Sequence, residues 1–193
     1  HALQFQLRAA IARGITATRN ELDELVSQTY YGKRYSLRGI RSQIDASLEF
    51  LERGGLISHN GNYYAATSIG SRASQLYIAP ETAILFKKTL SKACTSTDLG
   101  LLHLLCHTPD QPVAYITHSE AEEYEIYIED HQDEFVVEPP NPWEEPEKYQ
   151  RFLEEIKTAR VLIDWISEVP ERNITEMYGV GMGDVSRFAQ SAE

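Results

Sequence analysis

The sequence predicts a mainly α-helical protein of two domains, three helices with a β-hairpin wing followed by a helical bundle. Three observations carry this reading. Apolar residues recur at helical spacing through most of the chain. A strong hairpin signal, Asn60-Gly61, comes directly after the third helical segment. The charge also changes sign along the chain: residues 1–78 carry +3 and residues 79–193 carry -14, within a total of -11.

A length of 193 residues is enough for two separate cores, and 42% apolar with 24% charged residues is the composition of a folded globular protein. No run approaches the about 20 apolar residues of a membrane span, and no signal-peptide pattern opens the chain, so no membrane partner is expected. Cys94 and Cys106 are the only cysteines, which excludes a disulfide-stapled secreted fold and suits a reducing, cytoplasmic setting. The first residue is His1, as expected of a piece of something longer.

Residues 2–13 read as the first helix, with Leu3, Leu7, Ala10 and Ile11 on one stripe and Gly14 at its end. Thr18 stands three residues before Glu21, a capping-box spacing, and opens a second helix with Leu22, Leu25 and Val26 apolar. The run Tyr30-Tyr31-Gly32-Lys33-Arg34-Tyr35 breaks the pattern. Ser36 is a good N-cap for the third helix, whose stripe is Leu37, Ile40, Ile44, Leu48 and Leu51, with Gly54-Gly55 as its stop. Leu56-Ile57-Ser58 and Tyr63-Tyr64-Ala65 then flank His59-Asn60-Gly61-Asn62 as a hairpin. Three helices and a hairpin in this order make a winged helix, whose third helix would read DNA in a binding version.

Boundaries of 1–78 and 79–193 follow from the charge shift and from Ala79-Pro80. Helical segments are expected over 69–78, 81–93 and 97–107, then an acidic helix over 118–133. Pro139, Pro140, Pro142 and Pro146 mark a stiff extended connector. A long helix follows over about 146–168, with Phe152, Ile156, Ala159, Ile163 and Ile166 on its apolar side. A short helix over 171–178, a tight turn through Gly179, Gly181 and Gly183, and a last helix from near Asp184 complete the chain.

Enzyme and metal motifs are weak. His103 and His107 are four residues apart on one helix face beside Cys106, a spacing that can hold zinc. Leu104 stands where the metalloprotease pattern needs Glu, and no third ligand is evident, so satisfied helix histidines are the preferred reading. There is no GxxxxGK[ST] loop, and the Gly179–Gly183 run follows a helix where a dinucleotide fingerprint needs a strand. No catalytic arrangement and no metal site are therefore expected. The acidic run Glu120, Glu122, Glu123, Glu125, Glu129, Asp130, Asp133 and Glu134 reads as a solvated face, with a protein-docking surface as the sharper alternative. Lys33, Arg34, Arg38 and Arg41 surround the start of the third helix, where free N–H groups and the helix dipole suit phosphate. Pairing of Arg38 or Arg41 with Asp45, or plain solvation, is the other reading, and both stay open.

Three blocks carry a family resemblance. Thr67-Ser68-Ile69-Gly70-Ser71-Arg72-Ala73-Ser74-Gln75-Leu76-Tyr77-Ile78, with Pro80 and Thr82, resembles the linker after the winged helix in archaeal Hjm-type DNA helicases, of the Ski-two-like branch of superfamily two. Leu101-Leu102-His103-Leu104-Leu105-Cys106 with Thr108-Pro109-Asp110 is similar to a second block, and Tyr178-Gly179-Val180-Gly181 with Gly183-Asp184-Val185 to a third. The blocks keep the family order and span essentially the whole chain. Met182 stands where the family usually has Pro, and Ala79 where an acidic residue precedes Pro80.

The resemblance implies an ATP-dependent helicase that moves 3′ to 5′ on single-stranded DNA at stalled or recombining forks. ATP and Mg²⁺ would bind in two RecA-like motor domains preceding His1. This chain would be the winged helix and most of a helical ratchet domain, a monomer with no catalytic residue of its own. In the family, an Arg and a Trp two turns apart on a long helix contact successive bases. By register after the Gly-Asp turn the Arg is Arg187, and the Trp would fall just beyond Glu193, so the chain would stop inside that helix. Single-stranded or forked DNA and the motor domains are the expected partners, and the acidic charge implies weak DNA binding by the chain alone. Two rivals remain: a free-standing, dimeric winged-helix transcription regulator, and an acidic protein-interaction module.

Overall fold

We describe the chain from a computed structural model covering residues 2–14, 18–34, 37–91 and 97–192; the side chains of Tyr31, Arg34, Leu37 and Arg38 lie outside the described part. The chain forms two compact units, His1–Lys87 and Lys88–Glu193. The sequence reading divides it at 78/79. The helix starting at Pro80 gives Ala83 and Ile84 to the first core.

The first unit comprises α1 (Ala2–Ala12), α2 (Arg19–Gln28), α3 (Tyr30–Arg34), α4 (Leu37–Arg53), β1 (Ile57–Asn60), β2 (Tyr63–Ala66), α5 (Ser68–Gln75) and α6 (Pro80–Leu90). Its core gathers the expected stripes: Leu7 and Ile11 of α1, Leu22 and Val26 of α2, and Ile40, Ile44, Leu48 and Leu51 of α4. The Thr18–Glu21 capping box forms, with the Thr18 N–H donating to Glu21 Oε2 at 2.8 Å. Thr18 also bridges Tyr63, adding a single-residue strand beside the hairpin.

The helix α3 is not in the sequence reading, which treats Tyr30–Tyr35 as a break. Its cause is Thr29, whose Oγ1 accepts from the Gly32 N–H at 3.1 Å in the manner of an N-cap. Gly32 is required there, since a Cβ would lie 2.1 Å from the Val26 carbonyl oxygen. The expected cap at Ser36 lies outside the described residues.

The hairpin pairs Ile57 with Ala66 and Asn60 with Tyr63, so its loop is Gly61-Asn62 and not Asn60-Gly61. Gly61 has φ +62 while Asn62 stays negative, the sign pattern of a type II′ turn. Across the strands His59 and Tyr64 stack at 4.6 Å.

The second unit comprises α7 (Asp98–Cys106), an extended segment over 112–117, α8 (His118–Asp130), a 3₁₀ turn (Gln132–Glu134), the proline connector, α9 (Pro146–Ile166), α10 (Glu171–Tyr178) and α11 (Met182–Ala192). The centre is α9, which is buried on more than one side. With α7, α10 and α11 it encloses Cys106, Ala159, Val161, Leu162, Ile174, Val185 and Phe188. With α8 it encloses Tyr124, Ile128, Phe152, Leu153 and Ile156.

Several boundaries differ from expectation, among them the ends of α5 at Gln75 and of α6 at Leu90, each three residues early. The acidic helix stops at Asp130, where His131 caps it by donating its backbone N–H to the Tyr127 and Ile128 carbonyls. Ile166 ends α9 at 65% exposure, outside the apolar face. The last helix starts at Met182, with the Gly181 carbonyl accepting from Asp184 and Val185 N–H, so Gly183 lies inside the helix. Gly179 is the turn residue, with φ +61 closing α10. No helix among the described residues is long and apolar enough to cross a membrane.

Candidate nucleic-acid interface

The second unit carries a cleft of about 490 Å³ between the 113–117 segment, the start of α8, the middle of α9 and the α10–α11 turn. Val113, Tyr115, Val180 and Phe188 give it apolar walls; Glu120, Lys157, Asp184 and Arg187 give it charge.

The extended segment is held to α9 by side chains. The Ala114 N–H donates to Thr158 Oγ1 at 2.8 Å, Lys157 Nζ donates to the Tyr115 carbonyl at 3.0 Å, and Gln150 Nε2 to the Ile116 carbonyl at 3.4 Å. Lys157 is a buried cation, so it requires a counter-charge. Glu120, at the N3 position of α8, supplies it at 2.6 Å and also accepts from the Thr117 N–H and hydroxyl. Burial works to raise the Glu120 pKa, but the bonds from Lys157 and Thr117 outweigh it and hold the carboxyl down at about 2.

Arg187, the one site residue read from the third block, lies on α11 at the rim of this cleft. Its side chain is 60% exposed and pairs with Asp184 one turn earlier at 3.1 Å. An exposed pair of this kind contributes little and exchanges readily for a ligand.

The other expected site residues lie in the first unit. Lys33 is exposed near the end of α3; Arg34 and Arg38 have side chains outside the described part. Arg41 is exposed on α4 and faces Asp23 at 3.5 Å. Its expected partner Asp45 is taken instead by Arg19 at 2.7 Å, because α2 brings that guanidinium alongside α4. The structure thus brings none of these four to Arg187 within one unit.

The two histidines differ in a way the sequence reading missed. His107 Nδ1–H donates to Glu155 Oε2 at 2.7 Å, and Glu155 also accepts from Arg151 Nε at 3.1 Å. His103 is fully buried against the edges of Phe135 and Phe152, and neither ring nitrogen has a hydrogen-bond partner among the described residues. Burial, helped by His107, lowers its pKa to about 3, so the ring is neutral and its 3.7 Å approach to Glu155 is not an ion pair. Burial likewise pushes the Cys106 thiol well above its ordinary value, which leaves it unreactive. Among the described residues no group of three His, Cys, Asp or Glu could hold a metal ion. The Gly179–Gly183 run joins two helices and offers no triphosphate cradle of the strand–loop–helix kind.

The acidic helix is only partly a solvated face. Glu120 and Glu123 turn toward Lys157 and Arg160 of α9, while Glu122, Glu125, Glu129 and Asp130 face water. Arg160 also lies over the rings of Tyr124, Tyr127 and Tyr178. The cleft residues Tyr115 and Lys157 are absent from the sequence reading, and Glu120 is there only as one member of the acidic run. The available signal was a lysine inside the buried stretch of a long helix.

This helical unit is a domain of the archaeal helicase class: residues 99–193 match the family model described as archaeal helicase, domain 4. Over nearly the whole chain, the sequence is 30% identical to the ATP-dependent DNA helicase Hel308 of Methanocella arvoryzae, and 32% identical to that of Thermococcus kodakarensis. The chain covers 26% of the first relative's length and 17% of the second's. It belongs to the archaeal Ski-two-like DNA helicase family, as a part of such a protein.

Proposed function

We propose that this chain is the non-catalytic, DNA-guiding region of an ATP-dependent 3′–5′ DNA helicase that acts in fork repair and recombination in the cytoplasm. The helical unit guides the translocated single strand, with Arg187 contacting bases or backbone. The winged-helix unit braces the motor domains, and Lys33, Arg34, Arg38 and Arg41 are secondary contacts to duplex or fork. ATP and Mg²⁺ belong to RecA-like motor domains elsewhere in the parent, and the chain itself is monomeric.

One observation carries the reading: a cleft with apolar walls has an exchangeable arginine at its rim, inside the unit that matches archaeal helicase domain 4. A strand can be held there through base faces and a few local phosphates, without a basic surface over the whole unit.

The test is fluorescence anisotropy of the chain with labelled single-stranded, duplex and forked DNA across a salt series. Weak binding that favours single strands or forks and fades with salt is expected, with Arg187→Ala weaker still. Tight binding to one duplex sequence by a dimer would replace this reading with a transcription regulator. The pure chain hydrolyses no ATP, with or without DNA; DNA-stimulated hydrolysis would overturn the assignment.

A further inference from the structure

We propose that Tyr115 is a base-stacking residue of the same cleft, presenting its ring to an unpaired nucleobase beside Arg187. The inference rests on the single-strand reading above and adds to it a residue on a different element.

The ring is turned outward by the backbone. In the extended segment Ala114 is 3% exposed, Tyr115 73% and Ile116 1%. That is the two-residue alternation of an extended chain with one face packed down. Tyr115 is therefore no loose surface residue. Its two neighbours are anchored in the unit, and its carbonyl is tied to Lys157, a cation that Glu120 locks in turn. An aromatic ring on so fixed a backbone loses little freedom when it meets a flat partner. Among the described residues its hydroxyl has no hydrogen-bond partner, and no other ring stacks on it.

The charges of the cleft decide which part of a nucleotide the ring meets. Both cations are already matched, Lys157 by Glu120 and Arg187 by Asp184. A phosphate deep in the cleft would face the Glu120 and Asp184 carboxylates while Lys157 stays buried, so the phosphate belongs at the rim, where Arg187 can exchange its partner. A base brings no charge and can lie along the apolar lining beside Val113, with Val180 and Phe188 buried behind it. A volume of about 490 Å³ lies within the range of small-ligand sites. Stacking needs only a π face, so the contact is tolerant of sequence.

The experiment measures binding of the chain to a fluorescein-labelled oligothymidylate, and to the same backbone carrying abasic sites, at several salt concentrations. Tyr115→Ala, Tyr115→Phe and Arg187→Ala are compared with the parent chain. Tyr115→Ala is expected to weaken oligothymidylate binding roughly tenfold or more, with Tyr115→Phe near the parent value. The loss is the same factor at every salt concentration, because no counterion is released by a stacked base. The abasic strand does not register the change.

If Tyr115→Ala binds like the parent while Arg187→Ala is weaker, the stacking assignment falls and the single-strand reading stands. If Phe fails to restore binding, a hydroxyl contact replaces stacking and the proposal is overturned. If the parent chain binds no single strand even at low salt, both readings fall together. The exposed ring makes the Ala variant a fair test, and an unchanged helical circular dichroism spectrum checks its fold.

Discussion

His103 is a titratable side chain placed where it cannot titrate freely. Its folded pKa of about 3 lies below the ordinary 6.5, so the unfolded chain takes up the proton first as pH falls. The stability tied to this depressed value is fully present above about 6.5 and drains away between there and about 3. His103→Leu removes a buried ring with two unmet polar atoms and keeps apolar bulk against Phe135 and Phe152. At neutral pH the variant is expected to be unchanged or up to about 1 kcal/mol more stable. Its stability falls less steeply with acid, as urea titrations at a series of pH values would show. An identical acid slope in both proteins would remove His103 as the cause. Glu120 works in a lower window. Its carboxyl sits at about 2 against an ordinary 4.5, so its contribution is present above about 4.5 and is lost as pH falls toward 2. Glu120→Gln leaves the buried Lys157 ammonium without its counter-charge. We expect a loss of roughly 3 kcal/mol at neutral pH, read from the same titrations.

Among the elements, the helix ends tell most about how local chemistry decides structure. Tyr77 and Glu168 both adopt left-handed backbone, φ 57 and 58, immediately after α5 and α9. In each case the following N–H reaches back to close the helix, Ile78 to Ala73 and Val169 to Asp164. A glycine usually fills such a position, so Glu168→Gly is expected to gain about 0.5–1 kcal/mol, measurable as a higher melting temperature. Gly70 is the opposite case. A Cβ there would lie 1.8 Å from the Leu56 carbonyl oxygen, so Gly70→Ala must push α5 away from the chain before β1. A loss of about 1–3 kcal/mol follows, as for other overpacked sites.

These ends also explain what the sequence makes legible. The capping box at Thr18 and the stripe of α4 are local patterns with one reading, and both form. The helix α3 escapes because a single Thr29 cap and a close-packed Gly32 create it, and neither has a periodicity. At the candidate site, Arg187 is legible only through the Gly-Asp turn of a resemblance. Tyr115 has no such signal, since an alternation of three residues between two helical blocks is too short to stand out. The buried state of Lys157 depends on α8 lying across α9, a tertiary fact that spacing along one helix does not contain.

Over the whole molecule, two units with separate cores carry charge of opposite sign. Each core closes within its own stretch of chain, so residues 88–193 are expected to fold alone with the helices seen here. Circular dichroism and a cooperative thermal transition of that piece would check this; a non-cooperative transition would show that the second unit needs the first. The acid-rich outer face of α8 also explains why local matched pairs, and not a broad basic surface, equip the cleft.

The helix α9 has one more consequence, for time and not for energy. Its backbone amides lie beneath α7, α8, α10 and α11, so solvent reaches them only when these covers leave together. Hydrogen–deuterium exchange over residues 152–162 should therefore run at the slow rate of global opening. The amides of α3, a single turn held by one threonine, should exchange at once. The helix buried at the centre of the second unit is its slowest clock.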